Sequence, residues 1–516
     1  MLGALLMLGC SSSVSRVAAP IGGSGPPSIE ALVDLGGYEP TGALDDERSD
    51  EIITPGEWLR VTGEHLSTSA TQVRVQGKPL PVLGYLSDGS ILVRAPTGLS
   101  PLKSHELEIQ TPHGSARHTF SLSSYVLVAD IGAEQLRFFS ARGGEDEVLS
   151  EEVTALDLDA LGPVALSPEH GFAYAIAREP GGPGYAWFRA HLGAPEAPAV
   201  DRSGHFQLRA SARDLAVGSD GSLFVLTANS LEVFAGERAV GKLELGSAPP
   251  PPESEWALSN LVLFDDERHA AALEVFTNQV LVFDIADRHR PALAATFPID
   301  SPGEPIVVAL ARNPALQNEL WVLTGANQHT LGTALTRALD VRSLLAGNAP
   351  PVLPQWSQLE ARLERLTWQD SGFVRQAPLR LPPGFVPMSL GVSPQGRPWV
   401  AGVTSSWFQI DPETSGVAAY ASALLSTTKV GHLIELSASG QPTTTQSGMM
   451  ICFNPTYLPG ETLPLFSSVR IGPRYFPPSV GLDWVIEAGE RQSEDIRGLE
   501  LENWMPPYEG PVVLAQ

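Results

Sequence analysis

The sequence predicts an all-β protein in which a small sandwich is followed by a radial repeat of four-stranded sheets, a β-propeller. In GPVALSPEHGFAYAIA, residues 162–177, apolar residues alternate at period two on both sides of a turn at residues 167–171. The same plan returns at residues 213–236, 261–276, 307–323 and 388–402, at steps of about 50 residues with one of about 80, as blades with one insertion would. The 49 glycines and 45 prolines among 516 residues suit many short strands joined by turns.

The charge of the chain narrows the classes of partner. The formal net charge is -25, and acidic clusters occur at residues 45–47, 145–147 and 151–152. Nucleic-acid binding needs a basic footprint, and the sequence has no cluster of lysine and arginine that would supply one. We therefore expect no nucleic-acid partner and interpret the acidic clusters as solvated surface.

The first ten residues, MLGALLMLGC, form an apolar run that ends in a cysteine, and a polar segment rich in Gly, Pro and Ser follows to residue 27. This pattern resembles a bacterial lipoprotein signal peptide, which implies a signal peptide at 1–9, lipidation of Cys10, and a lipid anchor with a flexible tether at 10–27. With Ser11 after the cysteine, the resemblance implies a cell-envelope location, at the outer membrane of a diderm bacterium. The alternative is a frayed apolar N-terminus with a chance cysteine, since the run is short and lacks a basic start.

The rest of the chain contains no run that approaches the ~20 apolar residues needed to span a bilayer. Membrane attachment would therefore depend on the anchor. The second cysteine, Cys452, lies in an unrelated context, so we predict that it is unpaired and buried as a small hydrophobic residue.

Residues 28–122 show short strands whose apolar and polar residues alternate, as in 58–63 and 73–77, which predicts a small sandwich. The turns and glycines at 55–57, 63–66, 73–77, 91–96 and 107–114 resemble those of an IPT/TIG domain, an immunoglobulin-like fold. In that family such domains are spacers, adhesion modules or binding modules of extracellular proteins.

Residues 124–516 are assigned to the propeller. A first blade begins with YVLVAD and QLRFFSA, and further blades begin near residues 162, 213, 261, 306 and 386. We count seven blades, with six or eight as alternatives, and expect C-terminal strands to pair with the region 125–139, because closure removes exposed sheet edges. Past residue 429 the pattern weakens, and the strand at 432–436 is paired with that at 449–453.

The motifs at 165–168, at 391–396 with Trp399 and Val400, and at 410–414 make this part similar to the NHL, YVTN and lactonase-like propellers. The resemblance implies a fold and leaves the reaction open.

An insertion in blade five, residues 348–370, carries Trp356, Leu359, Leu363 and Leu366 at helical spacing, which predicts a short amphipathic helix. Trp356 and Trp368 make it a candidate contact element or lid. The alternative is that the apolar stripe simply covers an exposed strand edge.

The sequence contains none of the common catalytic motifs: it has no zinc-binding histidine pair, no G-x-S-x-G and no phosphate loop. We therefore predict no catalytic residue, no metal ligand and no cofactor. Polar residues at inner strands or turns are candidates for a site assembled from several blades, although each is more simply a turn or surface group: His170, Asp214, Asp220, Asp265, His269 and His432. Residues 265–267 are acidic but lack the ligand spacing of a calcium loop.

Two function classes remain. The first is a cell-envelope lipoprotein that binds a protein, peptide or glycan, with the propeller as platform and the sandwich as spacer. The alternative is a hydrolase or lyase with its site in the central channel. His, Asp and Glu gathered at the channel mouth from several blades would favour the enzyme, and neutral polar or aromatic groups would favour the binding protein.

Overall fold

The computed structural model describes residues 20, 22–35, 53–130, 134–141, 149–158, 161–167, 172–178, 185–191, 200–201, 212–236, 238–246, 257–299, 307–325, 361–369, 372–382, 385–404, 431–437, 439–448, 450–472, 475–487, 490–495 and 512–515. Within these ranges all elements of regular secondary structure are β-strands, and the strands form antiparallel sheets. The all-β prediction is therefore confirmed.

The first two sheets belong to an N-terminal unit and share one core. One sheet has the order β1-β2-β6-β5 and the other β4-β3-β7-β8. In chain order the strands are β1 (Ala31–Asp34), β2 (Trp58–Thr62), β3 (Gln72–Val75), β4 (Lys78–Leu80), β5 (Gly84–Tyr85), β6 (Ile91–Arg94), β7 (Ser104–Thr111) and β8 (Gly114–Ser121). Alternate residues of both sheets, such as Val61 and Ile109, are fully buried in the common core, which explains the period-two pattern.

The segment before this unit is held against it. The Gly22 amide donates to the Ser67 carbonyl oxygen at 2.9 Å, and a Cβ on Gly23 or Gly25 would lie within 2.8 Å of His65. Cys10 and most of the predicted tether lie outside the described residues.

Seven further sheets follow, which we call blades 1 to 7. The first three consist of β11-β10-β9-β37, β12-β13-β14-β15 and β16-β17-β18-β19. Their strands are β9 (Ser124–Asp130), β10 (Gln135–Ala141), β11 (Leu149–Asp157), β12 (Val164–Ser167), β13 (Phe172–Arg178), β14 (Tyr185–His191), β15 (Val200–Asp201), β16 (Ala212–Val217), β17 (Leu223–Thr227), β18 (Ser230–Ala235), β19 (Arg238–Glu244) and, from the C-terminus, β37 (Val512–Ala515).

Blades 4 to 7 repeat the plan, and blade 5 has one extra strand. Their orders are β20-β21-β22-β23, β24-β25-β26-β27 with β28 on β26, β29-β30-β31-β32 and β33-β34-β35-β36. The strands are β20 (Leu258–Leu263), β21 (His269–Glu274), β22 (Gln279–Asp284), β23 (Ala292–Pro298), β24 (Val307–Arg312), β25 (Glu319–Thr324), β26 (Arg362–Gln369), β27 (Gly372–Arg375), β28 (Leu379–Arg380), β29 (Val386–Val392), β30 (Pro398–Val403), β31 (Gly431–Leu436), β32 (Pro442–Gly448), β33 (Met450–Tyr457), β34 (Pro464–Gly472), β35 (Tyr475–Glu487) and β36 (Glu490–Asp495).

The blades form a closed ring. Strand β37 pairs with β9, with Val513 opposite Val128, so the C-terminus supplies the innermost strand of blade 1. The innermost strands β37, β12, β16, β20, β24, β29 and β33 contact one another in this order, and β33 contacts β37. The closure predicted from the sequence is confirmed, and the described residues form a ring of seven blades.

The propeller core lies between blades. One cluster joins blades 4 and 5 through Leu273, Val322 and Leu366, and similar clusters join the other neighbours from blade 1 to blade 7. A blade thus buries its two faces only against its neighbours. Cys452 is fully buried in the cluster between blades 6 and 7, as predicted for a small hydrophobic residue.

The helix predicted around Leu363 and Leu366 is wrong, because these residues lie in β26, which pairs with β25 and β27. Residues three apart in a strand face opposite sides. Leu363 packs towards blade 6 and Leu366 towards blade 4. A strand buried on both faces therefore produced spacing that resembles a helix. Trp356 and Leu359 lie outside the described residues.

The predicted pairing of residues 432–436 with 449–453 is also wrong. Strand β31 is the third strand of blade 6 and pairs with β30, whereas β33 is the innermost strand of blade 7 and pairs with β34. The propeller motif at 410–414 lies outside the described residues.

Candidate functional site at the channel mouth

A cavity of about 560 Å³ lies at one mouth of the central channel, where the inner strands of four blades end. Its lining comes from blades 2 to 5 and from one residue of the N-terminal unit: Leu166, Ser167, Ala216, Val217, Gly218, Ser219, Leu261, Val262, Leu263, Phe264, Asp265, Glu267, Arg312 and Thr97. The ring geometry brings together residues that are far apart in sequence.

The turns that follow the inner strands place polar residues at this mouth. In blade 3 the Gly218 amide donates to the Ser222 carbonyl at 2.8 Å, and in blade 4 the Phe264 amide donates to the His269 carbonyl at 3.0 Å. Blade 5 closes its turn in the same way from Asn313. Each of these turns starts where its inner strand ends, although the turns differ in length, so residues that follow the inner strands of neighbouring blades lie at the same mouth.

The cavity combines an apolar wall with a charged rim. Leu166, Val217 and Val262 are only partly buried and supply wall surface, whereas Asp265 is exposed at the rim. Such a mixture is typical of small-molecule sites, in which a few polar groups orient a ligand against apolar walls.

The rim acids are engaged with neighbouring blades. Asp265 forms an ion pair with Arg312 at 2.7 Å and accepts the Asn318 amide at 3.3 Å, which links blade 4 to blade 5. Glu267 accepts the Ser219 amide at 2.9 Å and the Ser219 hydroxyl at 2.7 Å, which links blade 4 to blade 3. Both carboxylates therefore hold the rim together.

A second arginine supports this part of the rim. Arg288 donates from Nε to Asp220 Oδ2 at 3.2 Å and from a terminal nitrogen to the Glu267 carbonyl at 2.8 Å, and its guanidinium lies 5.0 Å from the Phe224 ring centre. Burial alone would raise the pKa of Asp220, but hydrogen bonds from Ser222 and the charge of Arg288 hold that pKa below 3.8. Asp220 is thus a carboxylate at neutral pH, and a weak base.

Asp214 has a different role from the rim acids. Its Oδ2 accepts the Leu261 amide at 2.5 Å, so it joins the inner strands of blades 3 and 4. Ser389 does the same between blades 6 and 7, where its hydroxyl accepts the Asn454 amide at 2.9 Å. In both pairs the inner strands are bulged, and each side chain satisfies an amide that the bulge frees.

The two described histidines among the sequence candidates are not at the cavity. His269 forms a contact from Nδ1 to Asp266 Oδ2 at 2.9 Å and packs 5.5 Å from the Trp368 ring centre. His432 Nε2 contacts the Thr404 hydroxyl in blade 6. His170 lies outside the described residues.

Trp368 lies in the core between blades 4 and 5 and is only 5% exposed. Its burial supports the packing interpretation of this residue. Of the sequence candidates, the structure brings Asp265 to the cavity and Asp220 next to it. Sequence reasoning missed Ser219, Arg312 and Thr97. Of these, Ser219 could have been found, because it lies just after an inner strand.

Within the described part of the chain, no group of three or more His, Cys, Asp or Glu residues is arranged to hold a metal ion. The described residues also include no helix that is long and apolar enough to cross a membrane.

No protein-family model and no curated protein matches this sequence. Among solved structures, the periplasmic gluconolactonase of Pseudomonas aeruginosa is similar over 76% of this chain and 99% of its own, with a TM-score of 0.49 and 12% identity. A candidate 6-phosphogluconolactonase of Bacteroides fragilis is similar over 76% and 98%, with a TM-score of 0.47 and 12% identity. An auxiliary nutrient binding protein of Bacteroides thetaiotaomicron is similar over 86% and 95%, with a TM-score of 0.32 and 9% identity.

The chain is similar in structure to lactonase-like seven-bladed propellers. The similarity is one of fold, and a propeller fold does not specify a ligand or a reaction.

Proposed function

We propose that this chain is a binding protein of the bacterial cell envelope and that its ligand occupies the cavity at the channel mouth. The cavity carries the proposal, because its volume of about 560 Å³ suits a small ligand and four blades converge on it. Loops and strand ends at one face of a rigid scaffold are the usual place for binding residues.

The lining favours an uncharged ligand with both apolar and hydrogen-bonding surface, such as a short glycan or a peptide segment. An anion would compete with Asp265 for Arg312, and a cation would compete with Arg312 for Asp265. A charged ligand would have to break this pair or leave its own charge buried and unpaired, which is costly. An uncharged ligand can use the Ser219 and Thr97 hydroxyls and the partly exposed wall.

The pairing of the rim acids supports binding over catalysis. A general base works best when its pKa lies near the working pH. Asp220 has a lowered pKa, and Asp265 and Glu267 already accept hydrogen bonds from neighbouring blades. These groups are arranged to hold the rim, which does not favour the hydrolase or lyase alternative.

The envelope location rests on the lipoprotein-like start of the sequence. We propose that Cys10 is lipidated at the outer membrane, and that the N-terminal unit is an immunoglobulin-like domain of the IPT/TIG type. Its two sheets around one core support that fold. Mass spectrometry of the membrane fraction tests the anchor: we expect a lipidated peptide at Cys10 and release of Cys10→Ser into the soluble fraction. A Cys10→Ser protein that stays bound would contradict it.

The binding site is tested by filling the mouth. Thr97 is exposed in a turn and lines the cavity, so Thr97→Trp adds a bulky ring at the entrance with little effect on the core. Ser87 is exposed in another turn of the same unit and does not line the cavity, so Ser87→Trp is the matched control.

We expect the full chain to capture uncharged members of glycan and peptide arrays, with capture lost in Thr97→Trp and kept in Ser87→Trp. Equal capture by both variants would place the binding site elsewhere. Turnover of a captured compound that is abolished only in Thr97→Trp would establish the enzyme alternative.

A further inference from the structure

One loop of the N-terminal unit lies across the channel mouth. We call residues 97–103 the mouth loop. At its start Thr97 lines the cavity together with residues of blades 2 to 5. A few residues later the loop contacts Gly460 and Glu461, in the turn between β33 and β34 of blade 7. The loop therefore reaches from the cavity to the side of the ring formed by blade 7.

The contact with blade 7 is polar and close. Both the Ser100 hydroxyl and Lys103 Nζ donate to Glu461 Oε1, and the lysine contact is 2.8 Å long. A Cβ on Gly460 would lie 2.7 Å from the Ser100 backbone nitrogen, and Gly460 has a φ of +67°. Glycine is thus required for the backbone approach that seats the loop. We call the contacts of Ser100 and Lys103 with Glu461 the latch.

The mouth loop is held firmly by its own unit. His105 Nε2 is 2.7 Å from the Ser100 carbonyl oxygen, and the Leu102 amide donates to the Ser100 hydroxyl at 3.0 Å. His105 itself is buried. Because the loop is tied to β7 in this way, it moves together with the N-terminal unit.

The described attachments of this loop to the propeller are weak by comparison. The apolar clusters that the described residues form lie within the N-terminal unit or within the propeller. The Lys103 side chain is 63% exposed, so its ion pair with Glu461 is largely screened by water. Units joined by small polar contacts are expected to move relative to each other.

We propose that the N-terminal unit acts as a lid on the channel mouth and that the latch holds it closed. Opening breaks the contacts of Glu461 with Ser100 and Lys103 and carries Thr97 away from the cavity. The role of the lid in ligand entry rests on the proposed binding function. The motion itself requires no ligand, so it can be tested separately.

The test measures access to the cavity by thiol labelling. Val217 is a partly buried wall residue, so Val217→Cys places a small thiol in the cavity. The protein used is the full chain with both substitutions, Val217→Cys and Cys10→Ser. Cys452 is fully buried, so its labelling reports only unfolded protein and corrects for it. The probe is a bulky polyethylene-glycol maleimide.

Lys103→Gln and Glu461→Gln each remove the ion pair of the latch. We expect each to speed the labelling of Cys at 217 by about two- to fivefold, the range that an exposed ion pair contributes. Lys78→Gln is the matched control, because Lys78 is an exposed lysine of the same unit, on the strand β4, and does not line the cavity. Raising the salt concentration should speed the labelling of the parent, since salt screens exposed charges. It should leave the labelling rate of the Lys103→Gln variant unchanged.

Two outcomes would overturn the proposal that the N-terminal unit acts as a lid. In the first, the parent is labelled as fast as a free peptide thiol, which would mean that the mouth is open. In the second, labelling is unaffected by the latch variants and by salt. Neither outcome bears on ligand capture by the arrays, so failure of the lid and failure of the binding function are distinguishable.

Discussion

Trp368→Ala is expected to destabilise the propeller strongly, because this side chain fills the core between blades 4 and 5. It is 5% exposed, and its ring centre lies 5.1 Å from that of Phe373 and 6.3 Å from that of Phe264. Replacement by alanine removes roughly 170 Å² of buried surface, which at about 25 cal/mol per Å² corresponds to ~4 kcal/mol. This agrees with the ~3–5 kcal/mol typical of such truncations.

The assay is urea unfolding followed by far-ultraviolet circular dichroism, which does not depend on the tryptophan that is removed. Val374 on the adjacent strand β27 is 49% exposed, so Val374→Ala is the control and should stay within about 0.5 kcal/mol of the parent. A loss below about 1 kcal/mol for Trp368→Ala, together with loss of ligand capture, would refute the packing argument. It would instead support the contact role considered from the sequence.

Three further predictions concern the backbone, the ring closure and pH. Gly63→Ala should destabilise the N-terminal unit by more than about 2 kcal/mol, because Gly63 has a φ of +152° and the new Cβ would lie 2.0 Å from the Ser28 carbonyl oxygen. Thermal unfolding measures this loss of stability. Deleting residues 512–516 removes β37 and exposes the edge of β9, so we expect aggregation or a lower melting temperature, seen by gel filtration and calorimetry. Burial raises the pKa of Asp88, but Ser90 and Arg60 outweigh it and lower that pKa from 3.8 to about 2. The carboxylate therefore stabilises the fold above pH 3.8, and this contribution, at most about 1 kcal/mol for an exposed pair, disappears as the pH falls towards 2; urea unfolding of the parent and Asp88→Asn from pH 2 to 6 measures it.

Each of these predictions has a control. Gly89 has a φ of +88° but open space around its Cβ position, so Gly89→Ala should cost only the ~1–2 kcal/mol of the left-handed backbone. Equal losses at both glycines would remove the steric argument. Deleting Gln516 alone should leave the ring closed. A stability difference between the parent and Asp88→Asn that stays constant with pH would show that the charge of Asp88 does not contribute.

The sequence alone was sufficient for the elements that repeat or alternate. Period-two runs separated by turns predicted the strands, the return of that plan predicted a ring of blades, and the need to cover sheet edges predicted closure by the C-terminus. Cys452 could be assigned to the core because its sequence context is apolar and unrelated to that of Cys10. These features are local or periodic, so they are visible in one dimension.

The tertiary structure decided which faces of each strand are buried and which residues meet. Leu363 and Leu366 appeared helical because a propeller strand is buried on both faces, against two different neighbours. The cavity joins Thr97 of the N-terminal unit to Asp265 and Arg312 of two different blades. No spacing rule connects these residues, since their proximity results from the closure of the ring and from the seating of the N-terminal unit across its mouth.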